Sequence, residues 1–451
     1  MNVKSIILAA GQGTRMKSNI PKVLHKVCGK EMINHVIDIA KSAGVDESIV
    51  VLGHGKDKVK EKISDDVKIA IQDKQLGTGH AVLMAKDYID ENCIIVVLCG
   101  DTPLIKSDTL KNLFAYHKEN SYIATVLTTK VDDPTGYGRI IRDSQGNLMK
   151  IVEQKDANEE EKKVNEINSG IYAFDGKALL ESLSKLSNNN AQGEYYLTDV
   201  IEILRKQGYK VGAYIGSTIQ ELMGVNSRID LAKAEKVMRK RINEYHMSNG
   251  VTIIDPDNTY IESDVNIGMD TVIYPGVIIT SNTNIGQNCI IGHSSRIENS
   301  NIGNNVCVQI STIIDSKVGD NSCIGPYAYL RPNSDIGKNV KIGDFVEVKN
   351  SVIEDNSKAS HLSYIGDAHV GKNVNIGCGT VFVNYDGKNK HKTIVKDDAF
   401  IGCNTNLISP VTVYEKAYIA AGSTITEDVP KESLAIARQR QVIKQGWVNK
   451  K

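Results

Sequence analysis

A chain of 451 residues exceeds what one hydrophobic core ordinarily serves, and lysine plus arginine equal aspartate plus glutamate at 54 each. Two or three domains are expected, and no net field draws the chain to nucleic acid or to an anionic membrane. The eight cysteines (Cys28, Cys93, Cys99, Cys289, Cys307, Cys323, Cys378, Cys403) lie scattered, without a C-x-x-C pair or a compact ligand spacing. That argues against zinc sites and for reduced thiols in a cytoplasmic protein.

The amino terminus MNVKSIILAAGQGTRM has an apolar run of about seven residues before Gly11, short of the ~20 that a membrane span needs. No export signal and no membrane insertion are expected. Over residues 1–226, short apolar runs alternate with helical patterns: KSIILAA, INHVIDIAKSAG, SIVVLGHG, GHAVLMAKDYI, CIIVVLCGD. That alternation predicts a parallel sheet covered by helices on both faces. The turn after the first strand carries Gly11 and Gly13, whose backbone N–H groups can close on a phosphate. It lacks the spacing of dinucleotide binders and of P-loops, and instead brings Arg15 and Pro21-Lys22 close by, cations suited to a triphosphate. The strand CIIVVLCG delivers Asp101 at its carboxyl end, where open α/β sheets bind ligands and where a carboxylate can hold Mg²⁺.

Residues 227–249 contain no proline and no glycine, open with a Ser227/Asp230 cap and read as one linker helix, roughly 30 Å long. Beyond it, over 250–451, an aliphatic residue recurs every sixth position: Ile261, Ile267, Ile273, Ile279, Ile285, Ile291 and Ile297, then further runs after one-residue slips. A six-residue period suits neither helix nor ordinary strand. It suits short flat strands, three to a coil, with each aliphatic side chain pointing into a prism, and so predicts a parallel β-helix. One longer break, NYDGKNKHK between Phe382 and Val395, is expected to project as a loop.

Most polar residues of such a coil face solvent, but His361 has company. It lies near Tyr364, one coil from Lys349, two from Arg331 and upstream of Asn384, Tyr385 and Lys390, so at about 18 residues per coil these groups are expected to line one groove. An imidazole suits removal of a proton from an amine, and Arg331 with Lys349 suits a phosphate.

The motifs LAAGQGTRM, PKVLH, QLGTGHA, GDTPLI, PTGYGRI, IVEQKDA, EINSGIY and GVNSR, followed by the hexapeptide solenoid, cover the whole chain. Together they resemble the family of bifunctional N-acetylglucosamine-1-phosphate uridyltransferases/glucosamine-1-phosphate acetyltransferases. The resemblance implies a Rossmann-like nucleotidyltransferase domain with a mostly parallel sheet, a linker helix and a left-handed β-helix acetyltransferase domain that packs as a homotrimer. It implies UTP and acetyl-CoA as co-substrates, Mg²⁺ as the metal, glucosamine-1-phosphate and N-acetylglucosamine-1-phosphate as sugar substrates, and a product used for cell-envelope precursors.

Residue by residue, the resemblance assigns Leu8, Ala9, Ala10, Gly11, Lys22, Gln72, Gly77 and Thr78 to UTP, with Arg15 and Lys22 activating the triphosphate. It assigns Gly138, Glu153 and Asn168 to the amino sugar, and Asp101 with Asn226 to Mg²⁺. In the solenoid it makes His361 the general base, oriented by Glu347. Arg331, Lys349, Tyr364, Asn375 and Lys390 surround glucosamine-1-phosphate, and Asn384, Tyr385, Cys403, Ala421 and Arg438 face acetyl-CoA. Relatives tend to carry Ser at the place of Cys403 and Ala at that of Cys378, which leaves a side-chain hydrogen bond from position 403 in question. The tail ARQRQVIKQGWVNKK either reaches a neighbouring subunit or is a disordered basic end.

Two other readings share these domain kinds. A solenoid serving only as a structural platform is opposed by His361 with the NYDGKNK loop. An inactive scaffold of the translation-factor subunit type is opposed by Arg15, Lys22 and Asp101 together.

Overall fold

The computed structural model describes residues 2–216 and 218–450. The chain divides into two compact units, Met1–Met238 and Arg239–Lys451.

In the first unit a sheet runs in the order Val211–Ile215, Ala124–Lys130, Glu166–Asp175, Ile94–Cys99, Val3–Ala9, Glu47–Leu52, Lys68–Ile71. All neighbours pair in parallel except Glu166–Asp175, which is antiparallel to both its neighbours in that order. A hairpin of Arg139–Arg142 with Leu148–Val152 attaches through Ile167↔Arg139. Each apolar run feeds both faces, because successive side chains of a strand point opposite ways. Ile6, Ile49, Ile95 and Val97 pack with Val82, Leu179 and Ile201 on one face. Ile7, Val50, Val96 and Leu98 pack with Val36, Leu110 and Leu113 on the other.

The helix Arg228–Ser248 begins where Ser227 Oγ accepts the Asp230 N–H at 3.2 Å and Asp230 Oδ2 accepts the Ser227 N–H at 3.0 Å. Its first part packs in the first unit, Ala234 against Val27, Met32, Leu104 and Val225. Its last part packs in the second, where Ile242 meets the solenoid core and Asn243 Nδ2 donates to the carbonyls of Pro256 at 2.8 Å and Thr259 at 3.1 Å. Ile229 and Tyr245, apolar in sequence, stay exposed.

The second unit is a left-handed parallel β-helix. Its strands are two or three residues long over most of its length, and each registers with its counterpart one coil on, as in Val272↔Ile290, Ile278↔Arg296 and Asn266↔Asn284. Inward positions carry the six-residue series, and Ile273, Ile279, Ile291 and Ile297 are fully buried. Fully burying one such side chain is worth about 1.5–3 kcal/mol, and no coil has another core.

The three corners differ. Two turn through left-handed backbone mostly at asparagine or aspartate: Asn305, Asn321, Asn339, Asn356 and Asn373 along one, Asn299, Asp315, Asn333, Asn350 and Asp367 along another. These residues tolerate positive φ. The third places Ile310, Tyr327, Phe345 and Leu362 there, with φ of 39°, 57°, 57° and 34°. Tyr327 and Phe345 stack with centroids 5.4 Å apart, and both stay exposed, as does Leu362. Strain of this kind persists where the surroundings impose it.

Candidate functional site

The first site forms where Val3–Ala9 and Ile94–Cys99 end side by side, Leu8 registering with Cys99. Connections leave this point towards opposite edges of the sheet, which opens a crevice at the carboxyl ends of the strands. A cavity of about 270 Å³ there is lined by Leu8, Ala9, Ala10, Gly11, Lys22, Gln72, Gly77, Thr78 and Asp101, all expected from sequence, and by Gln75, Cys99 and Glu194, which were not. Gln75 follows Gln72 by one turn of QDKQ, a signal available in sequence; Glu194 offered none.

Glycine is required by contact at Gly77 and at the nearby Gly13. A Cβ on Gly13 would lie 2.6 Å from Lys22 Cβ, and one on Gly77, at φ 109°, would lie 2.6 Å from the Tyr195 carbonyl oxygen. Gln72 is buried; its Nε2 donates to the Gly77 carbonyl at 3.1 Å and lies 2.9 Å from His80 Nδ1. Burial lowers the pKa of His80, which favours a neutral ring able to accept that bond and fixes the amide's orientation.

Lys22 Nζ sits between two oxygens from distant segments. It ion-pairs closely with Asp101 Oδ2 and donates to Asn226 Oδ1 at 3.1 Å. The Val225 N–H donates to the Asp101 carbonyl at 2.9 Å, which ties the two segments together. Two hard oxygens converging on a point already held by a cation are chemically suited to Mg²⁺. Among the described residues no group of three or more His, Cys, Asp and Glu side chains could hold a metal, so a bound ion would take its remaining ligands from phosphate and water.

Arg15 lines an adjoining cavity of about 540 Å³ together with Asp101, Asn226, Tyr137, Ser169 and Lys233, and forms no ion pair among the described residues. Gly138, Glu153 and Asn168 meet one another: a Cβ on Gly138 would lie 3.3 Å from Glu153 Oε1 and 3.4 Å from Asn168 Cβ. Glu153 opens onto a further cavity of about 420 Å³ beside Asp156 and Asp199, not onto the two above. Burial, then the charges of Asp156, Asp199 and Glu194, pushes its carboxyl up. Asp199 is pushed up to about 6 by burial, then by Glu202 and Asp156.

In the solenoid the expected residues gather in two groups. Arg331 follows Leu330, which registers with Val348, so Arg331 stands one coil from Lys349, and Lys349 registers with Gly366. Arg331 pairs with Glu347 at 2.7 Å and Lys349 with Asp367 at 3.6 Å. Asn384, buried, donates to Asp367 Oδ2 at 2.5 Å and lies 3.5 Å from the Tyr364 hydroxyl. A Cβ on Gly366 would lie 2.4 Å from that hydroxyl, so glycine makes the room. Lys390 faces Lys349, whose ammonium lowers its pKa. Burial would raise the carboxyl of Asp367, but hydrogen bonds from Asn350 and Asn384 and the charges of Lys349 and Lys390 outweigh it and hold it low.

His361 stands at the other end of the same strand segment, beside Leu362 at the apolar corner where Lys358–Gly366 bends. Its Nδ1 lies 2.7 Å from Asp344 Oδ1, and this bond leads the causes that lower the Asp344 carboxyl. The expected orienting partner Glu347 is occupied by Arg331 instead. This coil has 17 residues, so His361 pairs with Asp344 and Glu347 with Tyr364. Asn375 registers with Lys358 and Phe400, and Phe400 with Tyr418, so Cys378, Cys403 and Ala421 fall in the column of His361. Arg438 follows in the same column, its Cδ 3.7 Å from where a Cβ of Gly422 would be. One chain thus carries His361, Cys403, Ala421 and Arg438 in or beside one column, Asn375 in the column of Lys358 three residues earlier, and Arg331, Lys349, Tyr364, Asn384, Tyr385 and Lys390 on the stretch that follows. All eight cysteines are free, Cys403 exposed and Cys378 half-buried. Among the described residues no helix is long and apolar enough to cross a membrane.

Comparison with known proteins gives two matching family models, nucleotidyl transferase over residues 4–220 and bacterial transferase hexapeptide (six repeats) over residues 315–350. The chain is 70% identical over 451 residues to "Bifunctional protein GlmU" of Clostridioides difficile (strain 630), covering 100% of this chain and 98% of that protein. It is 62% identical to the protein of the same name from Alkaliphilus oremlandii (strain OhILAs), covering 100% of this chain and 99% of that one. A third, from Clostridium acetobutylicum, is 57% identical over 449 residues, with 99% and 98% covered.

Proposed function

The chain belongs to the GlmU family of bifunctional proteins, and from that premise we propose how its two sites divide the work. It is a bifunctional uridyltransferase and acetyltransferase. The solenoid acetylates glucosamine-1-phosphate with acetyl-CoA, and the amino-terminal domain then joins N-acetylglucosamine-1-phosphate to UMP from UTP, releasing pyrophosphate. The product, UDP-N-acetylglucosamine, supplies cell-envelope synthesis.

In uridyl transfer a phosphate oxygen of the sugar attacks the α-phosphorus of UTP while pyrophosphate leaves in line. The nucleophile is already anionic, so positioning and charge neutralisation carry the step. Gln72, Gly77 and Thr78 hold the uracil, and Gly11 brings its backbone against the phosphates. Arg15 and Lys22 neutralise the triphosphate, and Gly138, Glu153 and Asn168 receive the amino sugar. Asp101 and Asn226 would hold Mg²⁺, which when bound supplies further charge neutralisation at the phosphates.

In acetyl transfer the sugar amine attacks the thioester carbon, its proton passes to His361, and the CoA thiolate leaves. Asp344 accepts from Nδ1–H, so Nε2 keeps its lone pair for the amine. Lys349, Lys390 and Arg331 hold the 1-phosphate, with Tyr364 and Asn375 on the sugar. Asn384, Tyr385, Cys403, Ala421 and Arg438 take acetyl-CoA. The enzyme works as a homotrimer in the cytoplasm. The split of the two residue groups between corners supports a site completed by a neighbouring copy, and the exposed Tyr327, Phe345 and Leu362 support a contact there.

The observation that carries the two-activity reading is the His361–Asp344 pair on a solenoid that also holds two ammonium groups face to face. A mere platform needs neither. Incubation with glucosamine-1-phosphate, acetyl-CoA, UTP and Mg²⁺, omitting each in turn, is expected to yield CoA thiol without UTP and UDP-N-acetylglucosamine only with all four. No thiol release from the complete mixture overturns the reading.

A further inference from the structure

The loop that breaks the hexapeptide rhythm contains a carboxylate that none of these roles uses. Asp386 Oδ1 accepts the backbone N–H of Lys388 at 2.8 Å and of Asn389 at 2.7 Å, and Oδ2 accepts Nε2–H of His391 at 2.7 Å. The Asn389 N–H, the His391 ring and the Lys388 N–H together hold its carboxyl far below the usual carboxylate range. Around this hub the loop is folded: the His391 N–H donates to the Asn384 carbonyl at 2.8 Å, and Tyr385 and Lys390 pair as an antiparallel bridge.

The two ends of the loop are held unequally. Asn384 is buried and bonded to Asp367. Lys390 projects an ammonium group towards that of Lys349, a repulsion that Asp367 offsets only in part. Lys390 is exposed, so without the loop's own bonds this end is free to move its charge away from Lys349.

We propose that Asp386 and His391 are positioning residues for acetyl transfer, clasping the loop so that Lys390 stays opposite Lys349 and the two cations are pre-set for the 1-phosphate of the amino sugar. The inference rests on the assignment of Lys349 and Lys390 to that phosphate. Asp386 gathers three donors, two of them backbone, whereas His391 contributes one half-exposed ion pair, so the carboxylate carries more of the effect.

The full-length chain is assayed for acetyl transfer with each substrate varied, with uridyl transfer and thermal unfolding as checks on folding. Asp386→Ala is expected to raise KM for glucosamine-1-phosphate roughly tenfold, as loss of charge-assisted hydrogen bonds implies, with kcat changed less than about threefold. His391→Leu raises that KM by about threefold, and His391→Gln, which keeps a donor near Nε2, recovers most of the loss. Uridyl transfer and the unfolding temperature stay at parental values. An unchanged KM in Asp386→Ala, or a loss confined to kcat, overturns the clasp while a raised KM in Lys349→Ala leaves the phosphate assignment standing. An unchanged KM in Lys349→Ala overturns both.

Discussion

The amino-terminal crevice and the solenoid corners, each proposed to hold a phosphate beside a reacting group, bring their residues together by opposite means. In the first unit a parallel sheet ends several strands at one edge, so Ala10, Lys22, Gln72, Asp101 and Asn226 converge although Lys22 and Asn226 are 204 residues apart in sequence. In the solenoid each coil repeats the last, so like positions stack in columns and unlike functions fall at different corners. A sheet edge therefore gathers residues of distant segments at one point, whereas a prism spreads them along its columns, and the proposed completion by another copy follows from that spread.

The comparison breaks most simply if the two sites are not independent. His361→Ala is expected to lower acetyl transfer by ~10²–10⁴-fold, the usual contribution of a general base, and to leave uridyl transfer intact. Asp101→Ala should do the reverse, read in the same coupled assay. Sharing between copies is tested by complementation: His361→Ala and Lys349→Ala chains, each nearly inactive, should regain a measurable fraction of acetyl transfer when unfolded and reassembled together. No recovery would mean that each chain completes its own site.

A smaller effect is expected at Asp344. Its loss leaves the imidazole in place but frees its tautomer and orientation, so Asp344→Ala should lower acetyl-transfer kcat by roughly tenfold, and Glu347→Gln by less. The smallest concerns Asp199. Its folded pKa of about 6 lies above that of an unfolded aspartate, so the group disfavours folding once ionised. The stability it subtracts is absent at acid pH and grows between about pH 4 and 6. Asp199→Asn is expected to stabilise the first unit above pH 6 by about 1 kcal/mol, discounted for partial exposure, with the gain shrinking below pH 5 in thermal scans.

Much of this was legible in advance where physics is local. Apolar runs at strand ends, Gly11, Gly13 and Gly77 in turns, and Asp101 at the end of a strand placed the crevice, and nine residues named from sequence line its cavity. What spacing does not supply is what register decides. The coil of 17 residues sets Asp344 opposite His361 and Glu347 opposite Tyr364, a pairing that nearness in sequence does not give. Glu153 sits beside Gly138 and, just past the hairpin strand Leu148–Val152, also lines the cavity of Asp156 and Asp199, which no spacing announced.

The amino-acid sequence by itself determined the architecture. A six-residue period of buried aliphatics points to a three-sided coil, and strand-helix alternation to a covered, mostly parallel sheet, since each pattern buries its apolar side chains that way; the antiparallel strand Glu166–Asp175 was not in that pattern. Tertiary structure alone decided which charges meet: Lys22 between Asp101 and Asn226, Asp344 under His361, Lys390 against Lys349. Hydrophobic burial is indifferent to partner and can be read from spacing. Ion pairs and hydrogen bonds require contact within a few ångströms, which only register and chain crossings supply.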